Sequence, residues 1–249
     1  MKSVRFILTL LIVCLSLPAM AFSSNAERVD SFVKLLNSSD YKGQEQMLNR
    51  LQWSGLSDPA LFDVIEKRLL EHYKVQGLDS SIRKVMAYHV RALGYSGNDK
   101  YRATIAEVRQ NAVDSTVKKH AKKALTDLSR WSQWHSLMTL EPIPTAGQSI
   151  EVATYLQMLD TENVYVQRLA ARAIFHERIT DSQLLNKAVE IIRSQYMDGG
   201  IDGQAEDTIA WLCKAVGLNA PSQYRAFLSE VSEQSPSRKI AKYALKYLD

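Results

Sequence analysis

The residues that could carry metal or acid–base chemistry are present in this sequence, but they are not grouped. Such sites need His, Cys or carboxylate side chains at fixed spacing. The sequence has no HExxH, CxxC or calcium-loop pattern, no Gly-rich phosphate loop and no G-x-S-x-G turn. We therefore expect no catalytic residue, no metal site and no cofactor, and we interpret the protein as a non-enzyme. The five histidines are scattered along the chain: His72, His89, His120, His135 and His176.

Basic residues recur on the second helix of each predicted helical hairpin, while the first helices carry more acid. If the second helices line a concave surface, that surface is basic and suits an acidic segment of another protein. An anionic polymer of the cell envelope is the other ligand we consider. The alternative is that these are solvated helix faces with ordinary surface ion pairs. The candidate binding residues are Arg83, Arg91, Lys118, Lys122, Arg168, Arg172, Lys214 and Lys242.

The helices that must position these residues are visible in the periodicity of apolar side chains. Residues 82–93, 117–128 and 205–216 each place them at the spacing of one helix face. We find no convincing segment that alternates with a period of two. These patterns predict an all-α chain of about twelve helices in six hairpins. Three glycines are expected to end helices in the left-handed conformation: Gly94, Gly97 and Gly217.

The sequence matches itself at an offset of 123 residues, without a gap over a long stretch. Tyr101-Arg102-Ala103 corresponds to Tyr224-Arg225-Ala226, and Tyr73 corresponds to Tyr196. After a three-residue deletion near position 112, residues 121–128 correspond to 241–248. This repeat predicts two duplicated halves, residues 27–128 and residues 151–249. The recurrence of Tyr-Arg indicates either two equivalent binding spots or, as we prefer, one structural contact made twice.

The repeat also provides a test of the scattered polar residues. His89 corresponds to Leu212, His120 to Ile240, and Cys213 to Val90. Residues that replace apolar side chains on a packing face are more often structural than catalytic. We therefore interpret these histidines and Cys213 as packing residues.

The second helices share a recurring motif, a small or β-branched residue and a polar residue followed by Ala-x-x-Ala-Leu. It is seen in Val117-Lys118…Ala121…Ala124-Leu125. This motif resembles the second helix of HEAT and armadillo-like repeats. The resemblance implies an α-α superhelix, a HEAT-like solenoid whose second helices line the concave side and whose extended surfaces bind proteins or peptides.

Residues 129–150 have no counterpart in the repeat. They contain Trp131 and Trp134, followed by Pro142 and Pro144. One interpretation is a connector whose tryptophans plug the junction between two cores. The other is a loop that presents aromatic side chains to a ligand or partner. On the second interpretation, Trp131 and Trp134 are also candidate binding residues.

The first 21 residues have the pattern of a signal peptide. Lys2 and Arg5 precede an apolar run over residues 6–17, and Ala19-Met20-Ala21 has the form of a cleavage site. The sequence therefore predicts an exported, periplasmic protein cleaved near Ala21, with no transmembrane segment. Cleavage lowers the formal net charge from +4 to +2, which argues against a nucleic-acid partner.

These observations favour a non-enzymatic protein-binding or scaffold module of the bacterial cell envelope. Its expected partner is another protein or an acidic peptide segment. One alternative is an enzyme or enzyme subunit, lyase-like, on a HEAT-like scaffold, because fold alone does not determine function. The other alternative is a structural protein that self-associates through the region of Trp131 and Trp134.

Overall fold

The computed structural model describes residues 22–138 and 142–248. Within these ranges the chain is all-helical, with 74% helix, twelve α-helices and no strand, which confirms the predicted all-α fold. The predicted signal peptide, residues 1–21, lies outside the described residues. The helices are α1 (Asn25–Leu36), α2 (Tyr41–Arg50), α3 (Pro59–His72), α4 (Ser80–Tyr95), α5 (Arg102–Asn111), α6 (Ser115–Met138), α7 (Ile150–Asp160), α8 (Val164–Glu177), α9 (Ser182–Gln195), α10 (Gly203–Asn219), α11 (Pro221–Gln234) and α12 (Arg238–Leu245).

The helices pair as consecutive hairpins, and the second helices contact each other in series. Helix α4 packs against α2, α3 and α6, and α10 packs against α8, α9 and α12. Their apolar faces form the core; Val90 and Leu93 on α4, and Leu212 and Val216 on α10, are fully buried. The apolar residues that define the helical periodicity in the sequence are therefore the residues that form the core. The superhelical curvature of the whole chain stays a prediction.

Tyrosine hydroxyl groups make matching hydrogen bonds in the two predicted halves. Each bond joins the first helix of one hairpin to the first-helix segment of the next hairpin. The recurring Tyr-Arg positions therefore make a structural contact, and it joins neighbouring hairpins rather than the two helices of one hairpin. The pairs are Tyr73 with Glu107 and Tyr196 with Glu230 (2.8 and 2.7 Å), and Tyr101 with Asp63 and Tyr224 with Asn186 (2.7 and 2.6 Å).

Two of the three glycines expected to end helices lie inside them. Gly94 belongs to α4 and Gly217 to α10, so their predicted role was wrong. A Cβ atom on Gly94 would lie 2.8 Å from the Cα atom of Ala124. Glycine is needed there because two helices approach closely, not because the backbone turns. Gly97 follows α4 with a φ of +63°, as expected for a left-handed residue.

Helix α6 continues through the first part of the predicted connector. Trp131 and Trp134 lie on this extension and are only 6% and 8% exposed. The Trp131 indole N–H donates to the carbonyl oxygen of Gln52 at 3.2 Å, and the Trp134 ring stacks on Tyr165. The structure therefore corrects their assignment as candidate binding residues, because buried rings are not presented to a partner. They fill the junction between the two halves instead.

Residues at equivalent positions of the repeat meet each other across this junction. Arg28 Nε lies 3.2 Å from Glu151 Oε1, and the rings of Trp53 and His176 stack with centroids 5.3 Å apart. In a purely head-to-tail stack, equivalent residues would be separated by three hairpins, each about 8–10 Å across. Contact between equivalent residues is instead what an isologous interface produces. The first hairpins of the two halves therefore face each other.

Candidate binding site

The structure divides the predicted basic residues between two surfaces. Arg83 and Arg91 lie on α4, and Lys118 and Lys122 lie on α6. The remaining four belong to the second helices of the other half, where α8, α10 and α12 adjoin one another. These four are Arg168, Arg172, Lys214 and Lys242.

The two arginines of α4 both lie near acidic residues, but at different distances. Arg91 pairs with Asp127 at 2.6 Å and also donates to the hydroxyl oxygen of Tyr95. Arg83 lies 3.8 Å from Asp114. Arg91 therefore belongs to an ion pair that joins α4 to α6. Arg83 has a side chain 51% exposed and only a long contact with Asp114, so it stays a candidate binding residue. On α6, Lys118 is half-buried and Lys122 is exposed.

Arg168 on α8 is neutralised in the same way. Its Nε lies 2.5 Å from Asp207 on α10, and the same carboxylate is 2.6 Å from Lys239 on α12. This network connects three consecutive second helices. Arg168 is therefore part of the packing rather than of an open binding surface, whereas Lys242 on α12 is exposed.

Arg172 and Lys214 have aromatic rings around them instead of acids. The Arg172 guanidinium lies between the rings of Trp53 and Trp211, 5.4 and 5.5 Å from their centroids. Lys214 Nζ lies 3.5 Å from the Trp211 centroid and about equally far, at 4.8 and 5.0 Å, from Phe175 and Tyr243. Among the described residues, no carboxylate lies within 4.0 Å of either cation. The Arg172 Nε is buried with no hydrogen-bond partner in those residues.

Burial first, and neighbouring positive charge second, lower the pKa values of these groups. Burial lowers the pKa of Arg172, and the charge of Arg168 lowers it further. Burial also lowers the pKa of Lys214, with Lys246 as the next cause, while Asp207 opposes the change. The pKa of His176 is lowered by burial and then by Arg172 and Lys214. Each group is affected by the positive charge of its neighbours, so the cluster attracts anions.

We call this surface the cation–aromatic face. The sequence identified three of its cations as candidate binding residues, and it also placed Lys246 among the basic residues of the second helices, but it did not indicate the rings. A signal was present, because a ring and a cation are three residues apart on each of three second helices. The face consists of Arg172, Lys214 and Lys246 with the rings of Trp53, Phe175, Trp211 and Tyr243, and we include the exposed Lys242, which precedes Tyr243 on α12.

Trp53 reaches this face from the other half of the molecule. It lies just after α2 and is 2% exposed, and its indole N–H donates to Glu177 at 2.7 Å. The stacked His176 ring and this hydrogen bond fix the orientation of the indole. Trp53 thereby supplies one of the two rings that flank Arg172. The cation–aromatic face therefore depends on the correct assembly of the junction.

A cavity of about 890 Å³ lies on another side of the junction, between α1, α2 and the start of α7. Four carboxylates line it: Asp40 and Asp181 cap α2 and α9, Glu177 accepts from Trp53 and Tyr155, and Glu151 pairs with Arg28 through one oxygen only. In residues 22–138 and 142–248, no group of three His, Cys, Asp or Glu side chains is placed to hold a metal ion. No helix in these ranges is long and apolar enough to cross a membrane.

Comparison with protein-family models, with curated proteins and with solved structures finds no match for this chain. A function is therefore argued from the sequence and the geometry of this molecule.

Proposed function

We propose that this protein is a non-enzymatic binding module of the bacterial cell envelope that holds an acidic segment of a partner protein on its cation–aromatic face. The observation that carries the proposal is the arrangement of Arg172 and Lys214, two cations held among aromatic rings with no carboxylate in ion-pair distance among the described residues. The rings cover part of each half-buried cation, and the less polar surroundings strengthen the attraction of these cations for a carboxylate.

The composition of the face favours a protein as the partner. Trp, Tyr and Arg are the residue types that most often dominate the binding energy of protein interfaces. A guanidinium group also suits a carboxylate, which it binds through two parallel hydrogen bonds. An anionic envelope polymer is the competing ligand, and the experiment includes it.

The proposal extends to the setting of the protein. The sequence pattern of residues 1–21 supports export to the periplasm. The serial contacts of α2, α4 and α6, and of α8, α10 and α12, support a HEAT-like stack of hairpins. Burial of Trp131 and Trp134 removes the basis for self-association through those residues.

The test is the binding of a fluorescein-labelled oligoglutamate peptide, followed by fluorescence polarisation, with polygalacturonate as the polymer probe. We expect the peptide to bind wild-type protein, and Arg172→Gln combined with Lys214→Gln to weaken binding at least tenfold. Higher salt should weaken binding as well, because part of the attraction is between exposed charges.

Lys242 and Lys122 provide a matched control, because they occupy equivalent positions on α12 and α6 and both are exposed. We expect Lys242→Gln to weaken peptide binding and Lys122→Gln to leave it unchanged. Equal effects of the two substitutions would show only general attraction to a basic protein and would contradict the proposal. If polygalacturonate bound and the peptide did not, the ligand would be an anionic polymer and the proposed protein partner would be wrong.

A further inference from the structure

The backbone of Phe22 is fixed against the start of helix α7. Its carbonyl oxygen accepts a hydrogen bond from the main-chain N–H of Ile150 at 2.9 Å. Its ring is 9% exposed and meets the ring of Phe32 edge-on, with centroids 6.2 Å apart. Residue 22 therefore occupies a defined position at the junction of the two halves, beside the carboxylate of Glu151.

Glu151 has one oxygen engaged and one available. Its Oε1 lies 3.2 Å from Arg28 Nε, while Oε2 is buried with no hydrogen-bond partner among the described residues. Burial raises the pKa of this carboxyl group; Arg28 is the largest opposing cause, followed by the main-chain N–H of Glu151 itself, the Ser149 hydroxyl group and the main-chain N–H of Phe22. Arg28 Nη1 donates to Asn25 and to the carbonyl oxygen of Ser54, while its Nε, like Glu151 Oε2, makes no hydrogen bond among the described residues. The available oxygen needs a further donor.

The predicted cleavage after Ala21 would change the chemistry of this contact. In the uncleaved chain, the nitrogen of Phe22 belongs to a neutral amide with one N–H. After cleavage it is an α-ammonium group, whose ordinary pKa is about 7.7–8.0. It then carries a positive charge and three N–H donors at neutral pH, and such a group bonds a carboxylate more strongly than an amide does.

We propose that Glu151 is the binding site for the α-ammonium group of mature Phe22, so that removal of the signal peptide completes the contact between the two halves. The site has the features such a ligand needs: a fixed main-chain bond at residue 22, a buried ring that holds the residue in place, and an unpartnered carboxylate oxygen. This inference rests on the predicted cleavage position and goes beyond the proposed function, because none of these groups belongs to the cation–aromatic face.

The experiment compares two forms of the full mature chain, one beginning at Phe22 and one beginning at Ala21. The extra residue returns the nitrogen of Phe22 to a neutral amide and moves the ammonium group away from Glu151. Intact mass identifies the first residue of each form and of the exported protein. We expect the Phe22 form to melt about 2–4 °C higher, the shift that one modest polar contact gives in a chain of this size.

Glu151→Gln distinguishes this contact from a general effect of chain length. It should abolish the difference in melting temperature between the two forms, whereas Glu162→Gln, at an exposed position after α7, should preserve it. Should the Glu151→Gln protein fail to fold, amide hydrogen exchange of Ile150 in the two wild-type forms decides, with slower exchange expected in the Phe22 form. Equal melting and exchange in the two forms would overturn the proposal. So would an exported chain that begins at another residue, or a difference that persists in Glu151→Gln.

Discussion

A partly buried cation occupies the same position in each half, but among the described residues only the cation of the first half has an acidic partner. In the first half, Arg91 of α4 is neutralised by Asp127 of α6 at 2.6 Å. The corresponding residues of the second half are Lys214 of α10 and Tyr247, which follows α12, and here the cation is surrounded by rings. The repeat therefore keeps the helix packing and changes the charge balance. A duplicated scaffold can retain one copy for stability while the other acquires a binding surface.

The largest expected effect is the loss of the ion pair of the first half. Asp127→Asn leaves Arg91 without its charge partner in a largely buried position, so we expect a loss of about 3 kcal/mol in the free energy of unfolding. Urea denaturation followed by circular dichroism measures it. Tyr247→Phe, at the equivalent position of the second half, should lower the free energy of unfolding by much less than Asp127→Asn does. A similar cost for both would contradict the division of roles.

The second prediction concerns His89 and its counterpart Leu212. Burial lowers the pKa of His89 to about 4, below the ordinary value of 6.5 that it has in the unfolded chain. The unfolded chain therefore binds the proton more readily, so stability is complete above pH 6.5 and falls as the pH decreases towards 4. We expect His89→Leu to reduce this acid-induced loss by about 2 kcal/mol. Unfolding free energies at pH 7 and pH 4.5 measure the change.

The prediction would be wrong if wild type and His89→Leu lost the same stability between these pH values. Other histidines whose pKa values burial lowers, such as His135, contribute equally to both proteins. Their contributions to the acid-induced loss of stability therefore cancel when wild type is compared with His89→Leu.

The third stability prediction compares alanine substitutions at the equivalent glycines Gly94 and Gly217, and it expects the smallest difference in unfolding free energy. A Cβ atom at Gly94 would meet the backbone of Ala124 at 2.8 Å, whereas one at Gly217 would meet only side-chain atoms of Leu228 and Tyr247 at 3.3 Å. We expect Gly94→Ala to cost about 2 kcal/mol because helix α6 must move. Gly217→Ala should lie within about 1 kcal/mol of wild type, since alanine also favours the helix. Thermal unfolding of both variants decides, and equal losses would contradict the packing account.

The helices were predictable from sequence because their apolar residues repeat with the helical period, and the matching tyrosine bonds of Tyr73 and Tyr196 follow the offset of 123 residues. The junction was not predictable. Periodicity shows which face of a helix is buried, but not which distant helix covers it. The contacts of Trp53 with His176 and of Arg28 with Glu151 join residues more than a hundred positions apart, and no local pattern encodes them.

The candidate site was only partly predictable, because it too depends on contacts between distant helices. Charge and helix position identified Arg172, Lys214 and Lys242, but the sequence could not show which cations have acidic partners. Arg91 and Arg168 are neutralised by carboxylates from neighbouring helices, and that depends on three-dimensional packing. Trp131 and Trp134 were ambiguous because a large ring suits a core as well as an interface.

The most direct test of the account is to give the second half the carboxylate of the first. Tyr247→Asp places an acid at the position equivalent to Asp127, where it should neutralise Lys214. We expect it to weaken oligoglutamate binding at least tenfold, while Tyr247→Ala, which removes the ring without adding charge, stays within about threefold of wild type; a tenfold change is 1.4 kcal/mol. Equal affinities for the two variants would contradict the claim that an unneutralised cation makes this face a binding site.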